Sequence, residues 1–477
     1  MRQITCSTLC LLLILCMGTA HASVLQDPGG QPPPALEARM VQLFEQERYE
    51  EAARLIRSFL EDSPNHPTML YNLACAYARM EQADEAIETI ERAIKAGFAD
   101  LSHMRRDPDL ASIHDHPRFR ELIRIHREAM ANMAERQLES ARAFFGESYT
   151  YDTDESRRLH FAIALDDVSY REMRTMLERQ ADQMIRSLFE APPEYFTLVV
   201  IPTHEHAQQI FAEPNFGGIY QHAQRRLVAR DIGTMLRHEF VHLMHYGHME
   251  RLNQQHPMWI QEGIASLYEL YEFNDNGDIV FLPNERHNLA RRLAVSGMTI
   301  QQLIELPNTR FMARAEANYA HVRSIFEFLA DQDKLETWYR TYVELYDEDR
   351  TGRLAFEQVF EGTMRDVERT WRAWVRERPI VEMRMRDGRG SLGIDVDEHG
   401  ANDGVMISRV TRGSGAFRAG LQVGDVIVGI NDRTIRSYRE LLGVIADMDP
   451  GDVVRIRFRR GQRYETVPVI LSPLRLP

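Results

Sequence analysis

The stretch His238-Glu239-Phe240-Val241-His242, followed by Trp259-Ile260-Gln261-Glu262-Gly263-Ile264-Ala265, decides how the central part of this chain is read. Residues four apart on a helix are offset by about 40° and one turn, so His238 and His242 project two imidazoles from one face toward a single ion. The apolar neighbours Met235, Leu236, Phe240, Val241, Leu243 and Met244 predict that this segment is a helix, with Gly247 as its stop. A catalytic zinc site usually takes three protein ligands and keeps one position for water, so the pattern needs one more ligand. Glu262, on a second helix-like stretch, and His248, six residues past His242, are the two candidates.

The combination HExxH and then WxxEGxA resembles the gluzincin zinc peptidases, over about Leu159 to Val375. That resemblance implies an α+β thermolysin-like (gluzincin) peptidase domain, with Zn2+ as cofactor and His238, His242 and Glu262 as its ligands. Glu239 would activate the zinc-bound water, and an edge strand near Gly218 to Tyr220 would hold extended substrate backbone. The implied activity is that of a zinc metallopeptidase cleaving protein or peptide substrates. Many gluzincins carry a carboxylate at the position of Ser266 that orients a ligand histidine; Glu269 is the candidate one turn on. The spacing to His248 also matches the third histidine of metzincins, but the glycine that family needs is His245 here, which favours Glu262. His245, His248 and His256 are then expected at the rim or behind the ligands. The developing oxyanion needs one further donor, for which Tyr319 and, alternatively, His321 are candidates.

Working outward, Met40 and Ala74, Leu43 and Tyr77, Ala52 and Ala86, and Ile56 and Ile90 pair at an offset of 34 residues. That period is the signature of tetratricopeptide repeats, which YEEAARLI and ADEAIETI resemble. Capping helices, including Phe119 to Phe144, are expected to follow. From Arg158 the pattern alternates: Phe161 to Leu165 and Phe196 to Ile201 read as strands, Tyr170 to Phe189 as an amphipathic helix, and Gly217 to Val228 as a glycine-led strand or hairpin. Gly277 to Val375 reads as mostly helical. Beyond about Met383, the β-like runs VMISRV, DVIVGI, VVRIRF and ETVPVI and the run SLGI resemble a bacterial PDZ domain. That implies a peptide-binding loop at Ser391, Leu392, Gly393 and Ile394, with Leu392 and Ile394 lining the pocket and Gly393 allowing close backbone approach. The expected layout is thus a signal peptide at 1–22, a linker at 23–35, helical TPR-like repeats at 36–145, the peptidase domain at 146–378 and a β-rich PDZ domain at 380–477.

Arg2, the apolar run Leu9 to Met17 and Ala20-His21-Ala22 read as an export signal, implying a periplasmic or extracellular protein. No segment has the roughly 20 apolar residues of a membrane span. Once the signal is removed, Cys75 alone of four cysteines remains, so no intramolecular disulfide is expected and the thiol reads as a small buried group. The formal charge of −14 argues against nucleic acid as partner, whereas the repeats and the PDZ-like segment point to protein partners. A scaffold built on a catalytically idle peptidase fold is the alternative, which the intact Glu239 disfavours.

Overall fold

Four helices, Pro34–Glu45, Tyr49–Asp62, Pro67–Arg79 and Ala83–Lys95, form where apolar residues recur three and four apart. They belong to a computed structural model that describes residues 34–474 apart from 97, 99–100, 212–216, 285, 382–387, 398–399, 432 and 447. The expected signal peptide, and all but the last two residues of the expected linker, lie outside the described residues. Of the residues paired at the 34-residue offset, Met40, Leu43, Ala52, Ile56, Ala74, Ala86 and Ile90 are all buried in one core. Cys75 is buried there too, its Sγ 3.7 Å from Asp107 Oδ2, and burial pushes its thiol pKa up. The chain divides into two units, residues 1–133 with 250–254, and residues 134–249 with 255–477.

The second unit is organised by a five-stranded sheet in the order β1-β2-β3-β5-β4, formed by β1 (Thr150–Asp154), β2 (Leu159–Ile163), β3 (Thr197–Ile201), β4 (Gly218–Gln221) and β5 (Arg226–Ala229). The inner strands β2, β3 and β5 run parallel, with Phe161 beside Val199 and Val199 beside Leu227. Alternate residues face opposite sides of a strand, so both faces of these apolar strands are covered. Phe161, Val199 and Leu227 pack with Met173, Leu177 and Phe240; Ala162, Leu198 and Val228 pack with Leu138, Ala141 and Phe211. β1 and β4 are the antiparallel edges. Neither β1 nor the hairpin of β6 (Tyr271–Phe273) and β7 (Ile279–Phe281) was expected, because their sequences are polar or very short.

The expected amphipathic helix is Asp167–Met184, capped by Asp166, whose carboxylate accepts from the amides of Val168 and Ser169. A π-turn, Ile185–Phe189, follows it. The HExxH segment lies on one helix, Thr234–Leu252. Gly247 does not stop it. A Cβ there would come within 2.8–2.9 Å of three Pro193 atoms, so the glycine serves close packing and the helix runs on to Leu252. Further helices, including Ala315–Asp331, Leu335–Glu344 and Met364–Glu377, complete the core around Trp338, Trp371 and Phe326.

Residues 390–473 form a β-rich body with its own core. Its strands are β8 (Gly390–Ser391), β9 (Ile394–Asp397), β10 (Val405–Val410), β11 (Val426–Ile430), β12 (Arg433–Thr434), β13 (Val453–Arg460), β14 (Arg463–Ile470) and β15 (Ser472–Pro473). The main sheet runs β14-β13-β11-β10-β9, which leaves β9 at its edge. Polar contacts fasten this body to helix Asp167–Met184 and its cap. The Ser169 hydroxyl donates to Asp403 at 3.2 Å, Tyr464 donates to Asp166 at 2.8 Å, and Arg457 meets Glu172 at 3.0 Å.

Candidate functional site

Helix Thr234–Leu252 is buried on most of its circumference, which fixes both its axis and its rotation. A second helix, Met258–Leu267, brings Glu262 against it. The next residue, Gly263, lets that helix approach Ala315–Asp331, since a Cβ would come within 2.3 Å of the Phe326 ring.

The three expected ligands converge. His238 Nε2 and His242 Nε2 are 3.2 Å apart, and Glu262 Oε2 lies 3.4 Å from the first and 3.5 Å from the second. Two imidazole nitrogens and a carboxylate oxygen at these separations all face one point, which fits a single metal ion. Burial disfavours charge on His238, but the surrounding carboxylates Glu262, Glu269 and Glu239 outweigh it and push its pKa up to about 10. Burial likewise raises the pKa of Glu262, yet the two histidines hold it well below the usual carboxylate range. The pocket is thus electrostatically prepared for a cation.

Glu239 sits in the same turn without joining the cluster. Its Oε2 accepts a 2.8 Å hydrogen bond from the Tyr220 amide on the edge strand β4. Tyr319, half-buried on Ala315–Asp331, has its ring 6.3 Å from that of His238. Burial first, and then the Glu262 carboxylate beside it, raise its phenol pKa. His321 is two residues further on and turned away: it stacks on Trp371 at 4.7 Å, and burial with nearby Arg372 lowers its pKa to about 3. Of the two candidates for the oxyanion donor, only Tyr319 is at the site.

The other histidines are not rim residues. His245, His248 and His256 are fully buried, where His245 Nε2 meets His256 Nδ1 at 2.8 Å and His248 Nδ1 meets the Phe189 carbonyl at 2.9 Å. His245 and His248 point into the core because their buried helix presents every face to neighbours, and His256 is packed there from the loop that follows. Glu269 lies behind His238, its Oε1 3.4 Å from His238 Nδ1. Its own clamp, Arg286 and Asn284, went unread in the sequence, where nothing in the spacing marks them.

In the C-terminal body, Ser391 pairs with Ser472, and its Oγ accepts from the Gly393 amide at 3.0 Å. Gly393 has φ +74°. Leu392 is 1% exposed and belongs to the core, so it does not line an open pocket as expected: its carbonyl accepts from Ala416 and the loop is drawn inward. Ile394, half-buried, begins the edge strand β9.

Family models match at two places, a tetratricopeptide repeat at residues 43–106 and a PDZ domain at 390–471. The C-terminal body is a PDZ domain. Serine endoprotease DegS of Haemophilus influenzae is 34% identical over 97 residues, which are 20% of this chain and 28% of DegS. The periplasmic pH-dependent serine endoprotease DegQ of Escherichia coli is 33% identical over 94 residues, 18% of this chain and 21% of DegQ. A chloroplastic protein of Arabidopsis thaliana is 29% identical over 102 residues, 21% of this chain and 30% of its own. A solved structure of the HtrA-type protease AlgW with a decapeptide matches at 26% identity, over 19% of this chain and 30% of that one, with a TM-score of 0.18. The chain therefore spans under a third of the length of the curated relatives it matches.

These findings correct the enzyme class expected from the sequence. The peptidases similar to this chain are serine endoproteases, where a zinc metallopeptidase of the gluzincin type was expected. HExxH sets the spacing of two imidazoles on a helix, and five residues leave the class of an enzyme open. The likeness itself spans about a fifth of the chain, and neither family model reaches the helix that carries His238.

Proposed function

We propose that this chain is an exported peptidase that hydrolyses peptide bonds in protein or peptide chains recruited by its tetratricopeptide and PDZ domains. The observation that carries this reading is the convergence of His238, His242, Glu262 and Glu239 beside an edge strand whose amide already bonds Glu239. An edge strand offers its main chain to an extended peptide, and PDZ domains bind peptides by the same strand addition. Export is supported by Arg2 and the apolar run that follows it, and by the periplasmic relative DegQ. Among the described residues no helix is long and apolar enough to cross a membrane.

For the cluster of two histidines and one glutamate we assign Zn2+, which suits that donor set. A bound zinc would polarise a carbonyl and lower the pKa of water. The chain's own residues supply the rest. Glu239, oriented by the Tyr220 amide, accepts a proton from the attacking water and returns it to the leaving amine. The Tyr319 hydroxyl donates to the oxyanion that develops on the scissile carbonyl.

The test compares the wild type with Glu239→Gln and His242→Ala, reading cleavage of an unfolded protein by mass spectrometry and metal content by elemental analysis. Glu239→Gln should retain the metal and lose about 10²- to 10⁴-fold in rate, because proton transfer goes but the ligands stay. Undiminished cleavage by that variant, together with loss of cleavage under a serine-directed phosphonate, would overturn the reading. Peptide binding without any cleavage by the wild type would return the chain to a non-catalytic scaffold.

A further inference from the structure

Behind the ligand cluster, one guanidinium touches two residues of the proposed machinery. Arg286 opens helix Arg286–Ser296, its own amide donating to Asn284 Oδ1 at 3.1 Å. Its Nε donates to Glu269 Oε2 and its Nη2 to Glu269 Oε1, both at 2.9 Å, a two-bond fork that fixes the plane of the carboxylate. Asn284 Nδ2 adds a third bond to Glu269 Oε2 at 3.2 Å. So held, Glu269 is 2% exposed and presents Oε1 to His238 Nδ1. The same guanidinium carbon lies 5.3 Å from the centre of the Tyr319 ring, in cation–π range. The Ser266 hydroxyl, three residues before Glu269, is buried and has no hydrogen-bond partner among the described residues.

We propose that Arg286 is the positioning residue of this centre, holding Glu269 behind His238 and the ring of Tyr319 beside it, so that one side chain sets the orientation of a ligand and of the oxyanion donor. This rests on the metal centre proposed above. A ligand histidine whose far nitrogen is held by a fixed carboxylate keeps its ring orientation, and such outer partners are typically worth 10- to 100-fold in metal affinity. Arginine suits the task because lysine cannot make the planar fork.

Zn2+ affinity is measured by competition with a chromophoric chelator, and ligand geometry by the visible spectrum of the Co2+ form, for the wild type, Arg286→Ala, Arg286→Lys and Glu269→Gln. Each variant should bind Zn2+ about 10- to 100-fold more weakly, with an altered Co2+ spectrum, and Lys should fail to restore either. Arg286→Ala combined with Glu269→Gln should lose no more than the worse single variant, because both act through one carboxylate. Should Arg286→Ala not fold, Arg286→Lys and Glu269→Gln, which conserve charge and volume respectively, carry the same test. Affinities within twofold of the wild type, or losses that add, would overturn the inference while leaving the metal centre standing. A wild type that binds neither ion would overturn the metal centre and this role together.

Discussion

Asp403 forms a buried ion pair with Arg459 inside the PDZ domain, beside helix Asp167–Met184, and removing its carboxylate tests that pair directly. It is 2% exposed and accepts from Arg459 Nε and Nη2, both at 2.7 Å, and from the Ser169 hydroxyl at 3.2 Å. The Arg459 pKa is raised chiefly by its hydrogen bonds to this carboxylate. Breaking a fully buried pair costs about 3–5 kcal/mol, since the remaining charge is left unpaired. Arg459 keeps 22% of its side chain in water, so part of its solvation returns, and the expected loss for Asp403→Ala is about 2–3 kcal/mol. For the unit of residues 134–249 and 255–477 that lowers the melting midpoint by roughly 3–4 °C. Calorimetry measures it, with Arg409→Ala as control, since the Arg409–Asp395 pair is 71% and 52% exposed and should matter by less than about 0.5 kcal/mol. Equal midpoints for Asp403→Ala and the wild type would refute the buried Asp403–Arg459 pair.

Tyr319→Phe should lower kcat by about 10²-fold with little change in KM if its hydroxyl meets the oxyanion, and steady-state kinetics on a short peptide would show otherwise if both constants hold. Gly247→Ala should destabilise the protein by roughly 1–2 kcal/mol in urea unfolding, because the clash with Pro193 outweighs the gain of about 1 kcal/mol in helix propensity; a more stable variant would refute the packing argument. His321 has a folded pKa of about 3 against 6.5 when free, so the unfolded chain binds a proton that the native one refuses, and stability falls as pH drops below 6.5 while above it this group adds no slope. His321→Phe should therefore reduce the loss of unfolding free energy between pH 6.5 and 5 by about 2 kcal/mol relative to the wild type, and identical pH profiles would refute the burial of a neutral imidazole there.

Much of the site was legible because its spacing is local. Four residues on a helix align His238 with His242 whatever surrounds them, and the 34-residue offset and the period-2 strands likewise follow from regular geometry. The sequence also favoured Glu262 over His248, and the structure brings Glu262 to His238 and His242 while burying His248 against Phe189. What tertiary structure decided depends on contacts between distant segments. Gly247 reads as a helix stop until Pro193 is packed against it, and Tyr319 and His321 are indistinguishable until the rotation of their helix turns one toward Glu262 and the other onto Trp371. Leu392 reads as a pocket residue in isolation and becomes core once Ala416 draws the loop inward. Arg286 lies seventeen residues beyond Glu269 at the start of another helix, and only the hairpin of β6 and β7 returns the chain to bring its guanidinium onto that carboxylate.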